Sequence, residues 1–127
     1  MEIGITNQIK AVVSNQMTAR EMGSGDLPVL ATPSMIALME GAANGSVATE
    51  LHSGQGTVGL YIEVSHLAPV PIGGQIDIKS ILIEVNKKIL TFEVSAFYGE
   101  TIIGKGIHKR AIIDNGAFME KVHRSTT

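Results

Sequence analysis

Apolar positions along this 127-residue chain change period midway, and the change predicts the architecture. Met35, Ile36, Leu38, Met39, Ala42 and Ala43 recur at helical spacing. This predicts one long helix, PSMIALMEGAANGSVATEL, with Thr32 as N-cap and Pro33 at the first helical position. The segment is apolar around most of its circumference, so it should be buried on several sides. Its Gly and Asn residues weaken intrinsic helicity, and packing must hold it together. HSGQG ends it.

Beyond that point the apolar residues gather in runs rich in Ile, Val, Thr and Phe, predicting strands at Thr57–His66, Gln75–Val85, Ile89–Tyr98 and Ile102–Asp114. APVPIGG, NKK and YGE punctuate them. An earlier β-like run starts at Ile9–Val13, followed by the turn-rich GSGDLP. The tail after Asp114 is expected to form a short helix with a frayed end. Consecutive strands joined by short turns favour an antiparallel sheet. One long apolar helix with such a sheet is an α+β layer arrangement, the sheet wrapped around the helix.

Composition narrows the picture. Hydrophobic residues make up 44% and charged residues 17%, enough for a packed core in one domain spanning 1–127. The short chain buries a modest share of its surface, which favours dimerisation. The formal net charge of −2 argues against nucleic acid as the main partner. Cysteine is absent, which removes disulfides, Cys nucleophiles and Cys-based metal sites and is compatible with a reducing cytoplasm. The first sixteen residues lack a signal-peptide pattern, and no apolar run approaches the ~18 residues of a membrane span. A cytoplasmic protein away from the membrane is expected.

Three side chains invite a chemical reading. Glu40 stands among apolar helix neighbours, where a carboxylate either marks a narrow solvent-facing stripe or faces a cleft that tunes it. Thr32 reads first as a helix cap, but a hydroxyl there also borders unpaired amides that stabilise an anionic oxygen. Eight residues separate them, about 12 Å along the axis on similar faces, so they can border one cleft without touching. His66 ends a strand before a Pro/Gly-rich loop; it is a surface residue or a proton carrier. Gly106, His108 and Arg110 share one face of the last strand by alternation. They form either a solvent-facing row on an edge strand or a contact for phosphate or carboxylate through Arg110. His52 and His123 read as structural or neutral. Neither metal-ligand spacing, a phosphate loop nor a GxSxG elbow is present, and no cofactor is expected.

Taken together, GSGDLPVLATPSMIALMEGAA, TVGLYIEVSHLAPVPIGG and LTFEVSAFYGETIIGKGIHKRAIID resemble the fluoroacetyl-CoA thioesterase-like branch of hot-dog proteins, from about Ile9 to Asp114. The resemblance implies a hot-dog fold, a homodimer with a continuous sheet and sites at its interface, and hydrolysis of acyl-CoA; the expected assembly is that homodimer, alone or paired into a tetramer. It carries catalytic roles onto Thr32 of "ATP", Glu40 of "LME" and His66 of "HLAP", with Gly59 of "TVG" beside the reacting carbonyl and Arg110 as a substrate contact. The fluoroacetyl-specific member has phenylalanines before "ATP" that cover the acyl group; this chain has GSGDLPVL there, which points to a different or more open acyl pocket. Two other functions fit the same pattern: a dehydratase or hydratase acting on acyl thioesters, and a non-catalytic acyl-CoA binding module.

Overall fold

The structure, a computed structural model, describes residues 1–125. Five strands form one antiparallel sheet: β1 (Thr6–Val12), β2 (Gln55–His66), β3 (Gln75–Asn86), β4 (Ile89–Tyr98) and β5 (Thr101–Asp114). Their order across the sheet is β1-β3-β4-β5-β2. Three helices accompany them: α1 (Ala19–Met22), α2 (Thr32–Ser46) and α3 (Asn115–Ser125). The expected α+β arrangement is therefore present.

The sheet closes over α2. Met35, Met39, Ala42 and Ala43 make a buried stripe along the helix at i, i+4, i+7 and i+8. The stripe and Val47 join the core of Ile76, Ile78 and Leu82 from β3, Leu90, Phe92, Val94 and Ala96 from β4, and Ile103 from β5. Ala37, Gly41, Asn44 and Gly45 stay exposed in the single chain, so burial is less complete than the sequence suggests. In β3, Ile76, Ile78, Ser80 and Leu82 point inward while Gln75, Lys79 and Ile81 point out, the two-residue alternation of a sheet with one covered face.

Several boundaries differ from those read in the sequence. β1 starts three residues earlier, at Thr6. Helix α2 stops at Ser46, and a separate 3-10 turn takes Ala48–Glu50. Just before the turn-rich GSGDLP lies α1, which the sequence reading did not predict; Thr18 caps its first amides and Gly23, at φ 72°, closes its end. Backbone bonds then fasten the stretch before α2: Ala19 N–H to Val29 O (2.9 Å), Leu30 N–H to Val70 O (2.9 Å) and Ala31 N–H to Met17 O (2.8 Å). The tail folds as α3; the expected fraying falls at residues 126–127, outside the described ones. No helix among the described residues is long and apolar enough to cross a membrane.

Candidate active site

At the start of α2, Ala31 rather than Thr32 holds the N-cap position: its backbone is extended (φ −73°, ψ 142°) and its carbonyl accepts from the Met35 amide. Thr32 is the first helical residue, with Pro33 next. The capping role expected for Thr32 is thus overturned, and its hydroxyl is free for another partner. It lies 2.7 Å from His66 Nδ1. His66 is the last residue of β2, across from Gly104 of β5. Its Nε2 is shielded from solvent and has no hydrogen-bond partner among the described residues. Either tautomer satisfies Nδ1, since a hydroxyl both donates and accepts. In both cases Nε2 is left for proton exchange.

Two turns along the same helix, half-buried Glu40 leans over Gly59 of β2. A Cβ built at Gly59 would lie 3.1 Å from Glu40 Oε2, 3.6 Å from Arg110 Nη1 and 3.6 Å from His108 Cε1. Three polar groups thus converge on one stretch of bare backbone. Gly59 also borders a β-bulge. Pairing of β2 with β5 passes from Gly59–Arg110 to Tyr61–Lys109, leaving Leu60 as the extra residue. Glu40, Gly59, Leu60, Tyr61, Ile62 and His108 line a depression of about 330 Å³ here. Glu40 therefore faces a cleft and not a solvated stripe. A larger hollow, about 490 Å³, lies on the outer sheet face around Lys79, Ile81, Glu93 and Lys105; it contains none of these groups.

The row on β5 is not at an edge. β5 lies between β4 and β2, and His108 and Arg110 are buried against α2 and β2. Arg110 Nε donates to Thr57 Oγ1 (2.8 Å), Nη2 to the Thr57 carbonyl (3.1 Å) and to Asn44 Oδ1 (3.5 Å), and Nη1 to His108 Nε2 (3.1 Å). These bonds turn the guanidinium donors into the fold, against Thr57, Asn44 and His108. Burial lowers its proton affinity, and the Glu40 carboxylate opposes that. The His108 imidazole is likewise held below its ordinary value of 6.5, first by burial and then by Arg110; the Tyr61 carbonyl and Glu40 pull the other way.

One chain thus assembles two half-sites. Thr32 and His66 touch at one end of β2; Glu40, Gly59 and Arg110 gather toward the other, seven positions and roughly 20 Å away along the strand. His52 stands in an exposed turn. The sequence reading missed His108 as a member of the Glu40 cluster, together with Asn44 and Thr57. The shared face of His108 and Arg110 was the one signal for the former; nothing local marked the latter two.

Comparison with known proteins gives the family and the fold. The family described as fluoroacetyl-CoA-specific thioesterase matches residues 13–116. The fluoroacetyl-CoA thioesterase of Streptantibioticus cattleyicolor is 38% identical over 98 residues, covering 77% of this chain and 70% of that protein. A solved structure of the fluoroacetyl-CoA thioesterase FlK superposes with a TM-score of 0.93 at 33% identity, covering 100% of this chain and 98% of the other. A thioesterase superfamily member from Thermus thermophilus shares the fold at 24% identity, with a TM-score of 0.91 over 98% of this chain and 93% of its own. The chain belongs to the fluoroacetyl-CoA-specific thioesterase family and has its hot-dog fold.

Proposed function

We propose that the protein hydrolyses an acyl-CoA to the free acid and CoA as a cytoplasmic homodimer, each active site combining Thr32 and His66 of one copy with Glu40 and Gly59 of the other. The observation that carries this is the free edge of the sheet. β2 is an outer strand of twelve residues and exposes Leu60, Tyr61 and Ile62 at 54%, 45% and 36%. Such an edge is a template for pairing. A two-fold axis through Glu63 pairs Val64 with Ile62 and Ser65 with Tyr61 of the second copy. Because the bulge absorbs Leu60, the next step sets His66 opposite Gly59, beneath which Glu40 lies. This isologous pairing would close the distance between the half-sites.

The chemistry then follows from the groups. The acyl carbonyl lies near the N-terminal end of α2, where amides and the Thr32 hydroxyl stabilise the tetrahedral oxyanion. In one route Glu40 orients His66, which takes a proton from the attacking water; the carbon–sulfur bond breaks and His66 returns that proton to the CoA thiolate. In the other, the Glu40 carboxylate attacks the acyl carbon and expels CoA, which takes a proton from protonated His66; water, deprotonated by His66, then cleaves the anhydride to release the acid and restore Glu40. The absence of any aromatic residue in Gly23–Leu30 supports a short or medium acyl group in place of a fluoroacetyl preference.

A panel of linear, branched, aromatic and fluorinated acyl-CoAs, followed with a thiol-reactive dye, tests the reading. Free CoA thiol should appear, with kcat/KM for fluoroacetyl-CoA no higher than for butyryl-CoA. Binding without thiol release would identify a binding module, and addition across an enoyl double bond without thiol release would identify a hydratase.

A further inference from the structure

Proton transfer at His66 leaves a buried imidazole unused. His108 is 1% exposed and sits in the middle of the sheet, stacked on Phe92 with ring centroids 6.3 Å apart. Both ring nitrogens are engaged. Nδ1 is 2.8 Å from the Tyr61 carbonyl, and Nε2 is 3.1 Å from Arg110 Nη1. A carbonyl only accepts, so Nδ1 carries the proton. A guanidinium only donates, so Nε2 must be bare. The surroundings therefore fix both tautomer and charge: a neutral imidazole with its hydrogen on Nδ1. An imidazolium would press an N–H against an N–H inside the core.

The partner on Nδ1 comes from the bulge. Where Leu60 is extruded, the β2–β5 ladder slips by one residue, and a bulge leaves main-chain groups without their regular partners. The Tyr61 carbonyl, next along, turns to the His108 ring. On the other side, Arg110 has three of its four polar contacts tying it to Thr57 and Asn44, and the fourth to His108 fixes the nitrogen nearest Gly59. That nitrogen and Glu40 Oε2 lie on the same side of Gly59, 3.6 and 3.1 Å from where its Cβ would stand.

We propose that His108 is a positioning residue for thioester hydrolysis: held as the neutral Nδ1–H tautomer between the bulge carbonyl of Tyr61 and Arg110, it aims the Arg110 guanidinium so that this charge orients the Glu40 carboxylate over Gly59. His108 touches neither substrate nor reacting atoms. It links the bulge that shapes the cleft to the carboxylate that works in it. The proposal rests on the catalytic reading of Glu40.

Two variants and one spectrum test it. His108→Phe keeps the stacked ring and removes the acceptor; His108→Gln keeps an acceptor for Arg110. With butyryl-CoA as probe, the Phe variant should lose about 10- to 100-fold in kcat with KM within about threefold, the usual scale for misplacing a reacting group. The Gln variant should recover to within about fivefold of wild type. Nitrogen-15 spectra of the wild-type protein should show His108 as the Nδ1–H tautomer at pH 7, whatever the substrate. A folded Phe variant with the wild-type kcat, a Gln variant as slow as the Phe variant, or a proton on Nε2 would each overturn the assignment. Glu40→Gln is the control for the underlying reading. If it keeps full activity, the catalytic role of Glu40 fails; if it is slow while the His108 variants are not, only the role of His108 fails.

Discussion

Thr32 and His66 are thirty-four residues apart, yet their side chains meet at 2.7 Å, because Ala31 takes over the capping position and frees the threonine hydroxyl. If Nε2 of His66 moves the proton, His66→Ala should fold with a melting temperature near that of wild type, since the ring is only half-buried. It should lose about 10²- to 10⁴-fold in kcat, the range of general acid–base catalysis. A folded alanine variant with full turnover of butyryl-CoA would remove His66 from the mechanism. His108 predicts a different behaviour, in stability. Its proton affinity is lower in the folded chain than the ordinary 6.5, so below that pH the unfolded chain binds more protons than the folded one. The stability from keeping this ring neutral is complete above about pH 6.5 and shrinks as the pH falls toward the lowered folded value. The charged groups that face the ring are Arg110, from its own strand, and Glu40, from α2. His108→Gln, having nothing to titrate there, should show a flatter melting temperature between pH 7 and 5 than the wild type. Parallel curves measured by circular dichroism would show that His108 does not carry the acid sensitivity.

Two glycines of the β2–β5 pair separate stability from activity at the level of the element. A methyl at Gly106 would overlap the Glu63 carbonyl oxygen and come within 2.6 Å of Val64 Cα, rigid backbone that moves only if the strands part. Gly106→Ala should destabilise the chain by about 1–3 kcal/mol, a drop of several degrees in melting temperature. At Gly59 the nearest atom is the end of a flexible side chain, Glu40 Oε2 at 3.1 Å. Gly59→Ala should therefore melt within a few degrees of wild type and lose about tenfold in kcat by displacing that carboxylate. Equal melting temperatures for the two variants would refute the distinction. The close approach at Gly106 was readable from the sequence, since a glycine inside a strand signals backbone contact. Helix α2 and the strands were also readable, because their periods of 3.6 and 2 are written locally in Met35–Ala43 and Gln75–Leu82. The four-residue α1 lies below the length at which a period shows. What local pattern cannot supply is strand order. Nothing in GKGIHKR tells that β5 runs between β4 and β2, so buried His108 and Arg110 read as readily as a solvated row.

For the whole molecule, the separation of Thr32 and His66 from Glu40 and Gly59 is what the proposed homodimer accounts for. Thr32 and His66 belong to one end of β2, Glu40 and Gly59 to the other, and a single chain cannot bring its own glutamate to its own histidine without breaking the ladder to β5. In the homodimer we propose, a two-fold axis through Glu63 crosses the partners over, so each site would draw its histidine from one copy and its carboxylate from the other. This makes a prediction that an intrachain site does not share. Glu40→Gln and His66→Ala homodimers should each be nearly inactive. When the two are unfolded together and refolded as a mixture, half the dimers are mixed. In each mixed dimer one site inherits both lesions and the other neither. Activity should rise to about a quarter of the wild-type value per subunit, with the KM of wild type, because the restored sites are intact and not merely improved. Turnover that stays at the level of the parents after mixed dimers are verified by mass would mean that histidine and carboxylate work within one chain, and the edge of β2 would then have to serve some other contact.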